Sequence, residues 1–523
     1  LYGYFHIISF GNLSKEVEFA SHIYYKGKEL HHQITYSRPA AVTGEKALPK
    51  LLTKKRVVIS ILVLFAAAVV YFGAVNYDYV NQLPIGSGYK AKIMGSGYFV
   101  SGREPEHIEE NDLSFDPAFG LFKTKINQEQ QHSTASFFGL VKARAVYREG
   151  LGCILLSGRD SDSVYSWPVD IPEPLPENPE EVPWPDGARM DNQPVLREID
   201  RAALDRALER AFSELNPEKP RRTRAVVVVY KNRLAAEKYA PDIDRDMPLI
   251  GWSMTKSVTS ALVGILAGRG DLKIEHKAPV PEWQAPDDPR RNITLNHLLH
   301  MSPGLKFAEG YASTPLSDVN QMLFTQPDMA AFAADFPLEA KPGEKFNYSS
   351  GTTNIISRII RQCFASLEEY FAFPRLALFN KIGIRTAVWE PDASGTLVGA
   401  SYLYASARDW ARFGLLYLND GVWNGEQILP PGWVEYTTTP APAAEKGQYG
   451  AHFWLNHGSP DNPENRTFPS LPRDLFYCSG YQGQSVVIIP SCNLVVVRLG
   501  MTTQGGWDLE EFIGNVLKAF PIE

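Results

Sequence analysis

The sequence predicts an α+β protein, and three stretches carry that prediction. Ile199, Ala202, Leu204, Ala207, Leu208 and Phe212 recur at helical spacing with charges between them, the stripe of an amphipathic helix. Thr223 to Tyr230 (TRAVVVVY) is too apolar and β-branched for anything but a buried strand, with Lys231-Asn232-Arg233 as its hairpin turn and Leu234 to Tyr239 as its partner. Ser485 to Ile489, the turn Pro490-Ser491-Cys492-Asn493 and Leu494 to Val497 read as strand, turn and returning strand. A helix, a sheet and then a helix starting near Gly251 is an α+β opening.

In chain order, residues 1–47 carry no helical or strand period, and no fold is expected of them. The chain opens on Leu1 and has no methionine before Met94, so initiation at Met94 would delete everything upstream. Lys54-Lys55-Arg56 then precedes an uncharged run, Val57 to Val75, that is about 28 Å long as a helix and long enough to span a bilayer core. The basic triplet puts residues 1–56 in the cytoplasm and the rest in the periplasm or outside the cell. A cleaved signal peptide is the competing reading, because Ala66-Ala67-Ala68 and Gly73-Ala74 supply small residues. Residues 76–165 read as a globular extension of unknown role, with strand-like pieces at Tyr98-Phe99-Val100 and Ala143 to Tyr147. Residues 166–197 contain a proline- and acid-rich stretch (WPVDIPEPLPENPEEVPWPDG), an extended linker or strap. The main domain is residues 198–523.

Composition excludes several function classes. With 523 residues and 44% hydrophobic content the chain can bury a large core, and its net charge of −7 with no long basic block argues against nucleic acid as a partner. Cys153, Cys363, Cys478 and Cys492 are widely spaced with no C-x-x-C, which argues against both a zinc site and a disulfide scaffold. No nucleotide loop or metal cluster is present, so neither a metal nor a cofactor is expected. His297, His300 and His452 have no acidic partner at a recognisable spacing and read as structural. Asp409 and Arg412 read as an exposed pair.

Gly251-Trp252-Ser253-Met254-Thr255-Lys256 leads into the apolar run Ala261, Leu262, Val263, Ile265 and Leu266. On a helix, Ser253 and Lys256 share one face, one turn apart, at the N-terminus where free N–H groups favour developing negative charge. A serine hydroxyl needs an adjacent base to attack an amide, and a lysine can serve once its pKa is lowered. Alone, the four-residue pattern is more often an N-cap serine beside a solvated lysine. Phe346-Asn347-Tyr348-Ser349-Ser350-Gly351 follows a Pro-Gly turn and precedes an apolar helix, placing Tyr348 on a loop at a helix start. Beside Lys256 its phenolate form is favoured, which suits a proton shuttle. No G-x-S-x-G elbow surrounds Ser253, which disfavours an α/β-hydrolase triad.

Together these stretches resemble the serine hydrolases of the penicillin-binding and class C β-lactamase type. The likeness runs over roughly residues 198–520: S-x-x-K at 253–256, the helix and loop ITLNHLLHMSPGL at 293–305, the tyrosine motif at 348–350, SARDWARFG at 406–414, and Phe476-Tyr477-Cys478-Ser479-Gly480 where the family has K-T-G or H-x-G. Y-x-S in place of Y-x-N is nearer to the 6-aminohexanoate-dimer hydrolases and related carboxylesterase-like members. The resemblance implies a β-lactamase/transpeptidase-like fold, an antiparallel sheet flanked by helices with an all-α lobe.

It also implies acyl transfer through Ser253 with Lys256 and Tyr348 as acid and base. The N–H groups of Ser253 and Tyr481 would form the oxyanion hole, and Ser350, Cys478, Ser479 and Gly480 would contact substrate. Cys478 stands where the family holds a cation, which weakens the case for a substrate carboxylate. The expected substrate is a small amide or ester. Within the same chemistry the alternative is β-lactamase or D-Ala-D-Ala carboxypeptidase activity; from another class, it is a non-catalytic, membrane-tethered protein that binds cell-wall peptides.

Overall fold

The computed structural model describes residues 77–190, 198–310, 315–459, 461–502 and 505–521, together with Ile59. The expected membrane span 57–75 and the segment before it therefore lie, Ile59 apart, outside the described residues. Among the described residues no helix is long and apolar enough to cross a membrane. The described residues of 84–310 and 316–521 form one compact unit.

The first helix, α1 (Tyr77–Phe99), corrects the expectation of a strand at 98–100, because Tyr98 and Phe99 are its last residues. Four glycines and Pro84 make this a poor helix by propensity, so packing must hold it. At Gly88 a Cβ would lie 2.1 Å from the Phe324 carbonyl oxygen, a backbone approach that only glycine permits. Tyr89 stacks on Phe119 at 5.0 Å and meets Phe324 edge-on at 5.1 Å.

An antiparallel meander follows: β1 (Phe122–Asn127), β2 (His132–Phe137), β3 (Val141–Arg148) and β4 (Gly152–Leu155). Ala135, Ala145, Cys153 and Leu155 close over Ala91 of α1. The 76–165 extension is thus a helix laid on a sheet, with the expected strand at 143–147 forming part of β3.

The proline-rich stretch runs as a strap over the main domain. Arg412 donates to the carbonyls of Pro185 and Gly187, both at 2.6 Å, and stacks over Trp184. This corrects the reading of Asp409 and Arg412 as an exposed pair: the strap covers Arg412, and both residues are buried. Asp409 accepts from the backbone N–H groups of Arg385 and Thr386 and from the Thr386 hydroxyl.

The main domain opens with α2 (Arg201–Phe212), capped by the Asp200 carboxylate on the Ala203 N–H. Next comes the hairpin β5 (Thr223–Tyr230) and β6 (Arg233–Tyr239). Lys231 and Asn232 both take positive φ, the geometry of a two-residue turn that matches strand twist. The short strands β7 (Leu249–Ile250), β8 (Val388–Trp389) and β9 (Leu403–Ala405) make one small sheet, and β10 (Val422–Trp423) with β11 (Glu426–Gln427) a separate ribbon.

With β12 (Trp454–Leu455), β13 (Phe476–Gly480), β14 (Gln484–Ile489) and β15 (Leu494–Gly500), β5 and β6 complete a six-stranded antiparallel sheet of order β12-β13-β14-β15-β5-β6. Val226 to Val229 of β5 are fully buried, each contributing about 1.5–3 kcal/mol by burial. One face of the sheet packs on α2 and the C-terminal helix Leu509–Leu517. The other meets the helix Ala407–Leu418, where Gly414 lies against Val486 and Val495. Helices between β7 and β9 form the α lobe, led by α3 (Thr255–Arg269), which is buried from Thr255 to Leu266, and α4 (Ser350–Arg361).

Candidate active site

Ser253 lies in a single 3-10 turn, Trp252–Met254, immediately before α3. Trp252 holds φ at +48°, an unfavourable value for a bulky residue and a form of stored strain found at functional turns. The turn is braced on both sides. The Trp252 ring meets Tyr481 edge-on at 5.8 Å and lies 6.3 Å from Tyr402. Lys92 of α1 sits 4.4 Å over the Tyr402 ring and pairs with the fully buried Glu390, which also accepts from the Ser96 hydroxyl at 2.8 Å and the Cys153 N–H at 2.6 Å. The extension of unknown role therefore supports the turn that carries Ser253.

Lys256 is 1% exposed and spends all three ammonium donors: on Ser253 Oγ at 3.0 Å, Ser350 Oγ at 2.9 Å and the Ala400 carbonyl at 3.0 Å. Burial lowers its pKa to about 8, with the Glu309 carboxylate opposing the shift. The Tyr348 ring lies 5.0 Å from Lys256 Nζ, wedged against Tyr449 and Trp454. The expectation of a favoured phenolate is corrected here. Burial, reinforced by the negative charge of Glu309, pushes the Tyr348 pKa up, so the resting group is a neutral phenol.

Ser350 was expected to touch substrate. It is instead fully buried as the first residue of α4, between Lys256 Nζ and the Glu309 carboxylate, which also takes the Ser350 N–H at 2.7 Å. Glu309 escaped the sequence reading. Its signal is weak: one acid in Phe307-Ala308-Glu309-Gly310, 41 residues before the serine it binds.

Cys478 is also buried, its pKa pushed up to about 12 by desolvation. A group so enclosed offers no surface to a ligand. Ser479 and Gly480 are half-buried at the end of β13, opposite Ser485 and Gln484.

At Gly480 a Cβ would stand 2.3 Å from the Gly251 carbonyl oxygen, so the end of β13 abuts the Ser253 turn and Tyr481 follows directly. A Gly480→Ala substitution is expected to cost about 1–3 kcal/mol through that clash, read as a lower denaturant midpoint at unchanged slope. His452 is structural: Nδ1 pairs with the Leu299 carbonyl at 2.8 Å and Nε2 with the Thr353 hydroxyl at 3.0 Å, and burial holds its pKa down to about 3.

The Beta-lactamase family model matches residues 207–515, more than half of the chain. An uncharacterized protein of Alkalihalophilus pseudofirmus is 23% identical over 295 residues, covering 52% of this chain and 82% of its own length. A Bacillus anthracis structure, assigned by name only as a 6-aminohexanoate-dimer hydrolase, aligns with TM-score 0.47 and 24% identity over 58% of this chain and 81% of that one. A penicillin-binding protein homologue from Pyrococcus abyssi aligns with TM-score 0.46 and 18% identity over 62% and 80%. With S-x-x-K and Y-x-S converging on one buried lysine inside the matched span, the chain belongs to the Beta-lactamase family, whose fold and serine-hydrolase type it shares.

Proposed function

We propose that the protein hydrolyses an amide or ester bond of a small substrate through an acyl-enzyme on Ser253. The observation that carries this reading is the buried Lys256 ammonium, 3.0 Å from Ser253 Oγ with a pKa lowered to about 8. Lysine pushed down and tyrosine pushed up divide the labour. Neutral Lys256 takes the proton as Ser253 Oγ attacks the carbonyl, and the Tyr348 phenol passes a proton to the leaving amine or alkoxide. The N–H groups of Ser253 and Tyr481 receive the oxyanion, and water then releases the acyl group. The buried thiol at Cys478, where a carboxylate-binding cation would stand, favours a substrate without a clamped carboxylate over penicillins and cephalosporins.

Intact-mass measurement after exposure to a fluorophosphonate tests the reading. A single adduct is expected on the wild type and none on Ser253→Ala, followed by turnover of p-nitrophenyl esters or short amides in preference to nitrocefin. No adduct on either protein would overturn the hydrolase reading in favour of a binding protein.

A further inference from the structure

The face of the β1–β4 sheet turned away from α1 has an order that the hydrolase chemistry does not use. The antiparallel register aligns Lys123, Ser136 and Lys142 in one row across β1, β2 and β3, and Lys125, Thr134 and Arg144 in a second. Each row is a hydroxyl between two exposed cations, spaced about 10 Å apart across the strands, and the rows are about 7 Å apart along them. None of the four cations makes an ion pair among the described residues, and among the described residues that line the adjoining concavity Asp160 is the single acid, against Arg159 and these four. In a chain of net charge −7, residues 121–160 carry six basic side chains and three acidic ones.

The end of the same sheet is apolar. Phe138-Gly139-Leu140 joins β2 to β3, with Phe138 71% and Leu140 84% exposed, and Leu121 lies next to Phe122, the register partner of Phe137. Phe138 also holds a positive φ of 46°, a backbone cost for an aromatic side chain that gains no burial. From this tip the first cation row is about 7 Å away and the second about 13 Å. That sequence of apolar tip, then cations over hydroxyls, matches the depth profile of a bilayer interface, where apolar groups enter about 5–10 Å and cations meet lipid phosphates.

We propose that the β2–β3 tip and the two cation rows dock the protein on an anionic membrane surface. Phe138, Leu140 and Leu121 enter the acyl boundary, and Lys123, Lys142, Lys125 and Arg144 meet phosphate groups, with Ser136 and Thr134 as donors between them. Docking of this kind is local to the hairpin and independent of residues 57–75.

The test uses the full chain with Phe138→Cys in a Cys363→Ser background, carrying an environment-sensitive nitrobenzoxadiazole at position 138. Its emission is expected to rise and shift to the blue on phosphatidylcholine vesicles containing phosphatidylglycerol, and to stay at its aqueous value on phosphatidylcholine alone. Combining Lys123→Glu, Lys142→Glu and Arg144→Glu should weaken that response on the order of 100-fold, with thermal unfolding and circular dichroism confirming the fold. Leu140→Ser, with the charges intact, should weaken it by about tenfold. A probe that stays aqueous on both vesicle types, or responds equally to both, overturns the proposal. Calorimetric binding of inorganic phosphate without any probe response makes the face a free-anion site and overturns it as well.

Discussion

Lys256→Met lowers kcat/KM by about 10²–10⁴-fold, with thermal stability maintained or raised, because methionine keeps the packing volume and removes a buried ammonium. The pH profile separates loss of the base from loss of the fold. In the proposed mechanism a neutral lysine is the competent form, so wild-type kcat/KM should rise with pH and level off above about pH 8, the value to which burial brings this group. At pH 7 about a tenth of the molecules hold the neutral amine. Lys256→Met should show a flat profile through that range at its residual rate.

Glu309 fixes the sign of a second variant. Its carboxylate favours the ammonium form of Lys256, so Glu309→Gln should move the acid limb to lower pH while keeping an acceptor for the Ser350 hydroxyl. An acid limb that stays in place in Glu309→Gln, or one that persists in Lys256→Met, would remove Lys256 from the role of base. The same carboxylate raises the Tyr348 pKa. Glu309→Gln therefore acts on both groups in the same direction, while burial keeps Tyr348 a neutral phenol throughout the range in which Lys256 titrates.

These residues differ in how far the sequence could reveal them, and the difference is one of range. Ser253 and Lys256 are three apart, and the turn-to-helix pattern around them holds their distance to 3.0 Å by local geometry. Tyr348 is legible through its own Pro-Gly turn and helix start. The sheet was legible at β5 because four consecutive valines leave no other solution, whereas α1 was missed because its glycines and proline point away from a helix. Those glycines earn their place through contacts with Phe324 and Ser133, far along the chain, and no local pattern encodes them. Arg412 was misread for the same reason, since the strap that buries it arrives from residues 184–187. Protonation states are further removed still. Lys256 beside Tyr348 suggests a phenolate only while the burial of the phenol and the Glu309 carboxylate are out of view.

Breaking the Lys92–Glu390 pair is expected to have the largest effect on stability, and its consequences reach Ser253. Both side chains are buried, so Lys92→Met leaves Glu390 with only the Ser96 hydroxyl and Cys153 N–H, at a cost of about 3–5 kcal/mol near neutral pH. Burial already raises the Glu390 pKa, and losing the cation raises it further. A carboxyl whose folded pKa lies above its unfolded value contributes most below the unfolded pKa and loses that contribution as pH rises through the folded one. Lys92→Met should therefore be closest to wild type near pH 4 and weaken steadily above it, as urea unfolding would record. Adding Glu390→Gln removes the unpaired charge and should recover most of the loss, a coupling that a double-mutant cycle measures. Because Lys92 rests on Tyr402 and Tyr402 lies beside Trp252, the single variant should also label more slowly at Ser253 under conditions where it is still folded. A deficit of Lys92→Met relative to wild type that is the same at pH 4 and pH 7 would mean that Lys92 does not change the protonation of Glu390, and that α1 supports the Ser253 turn by packing alone.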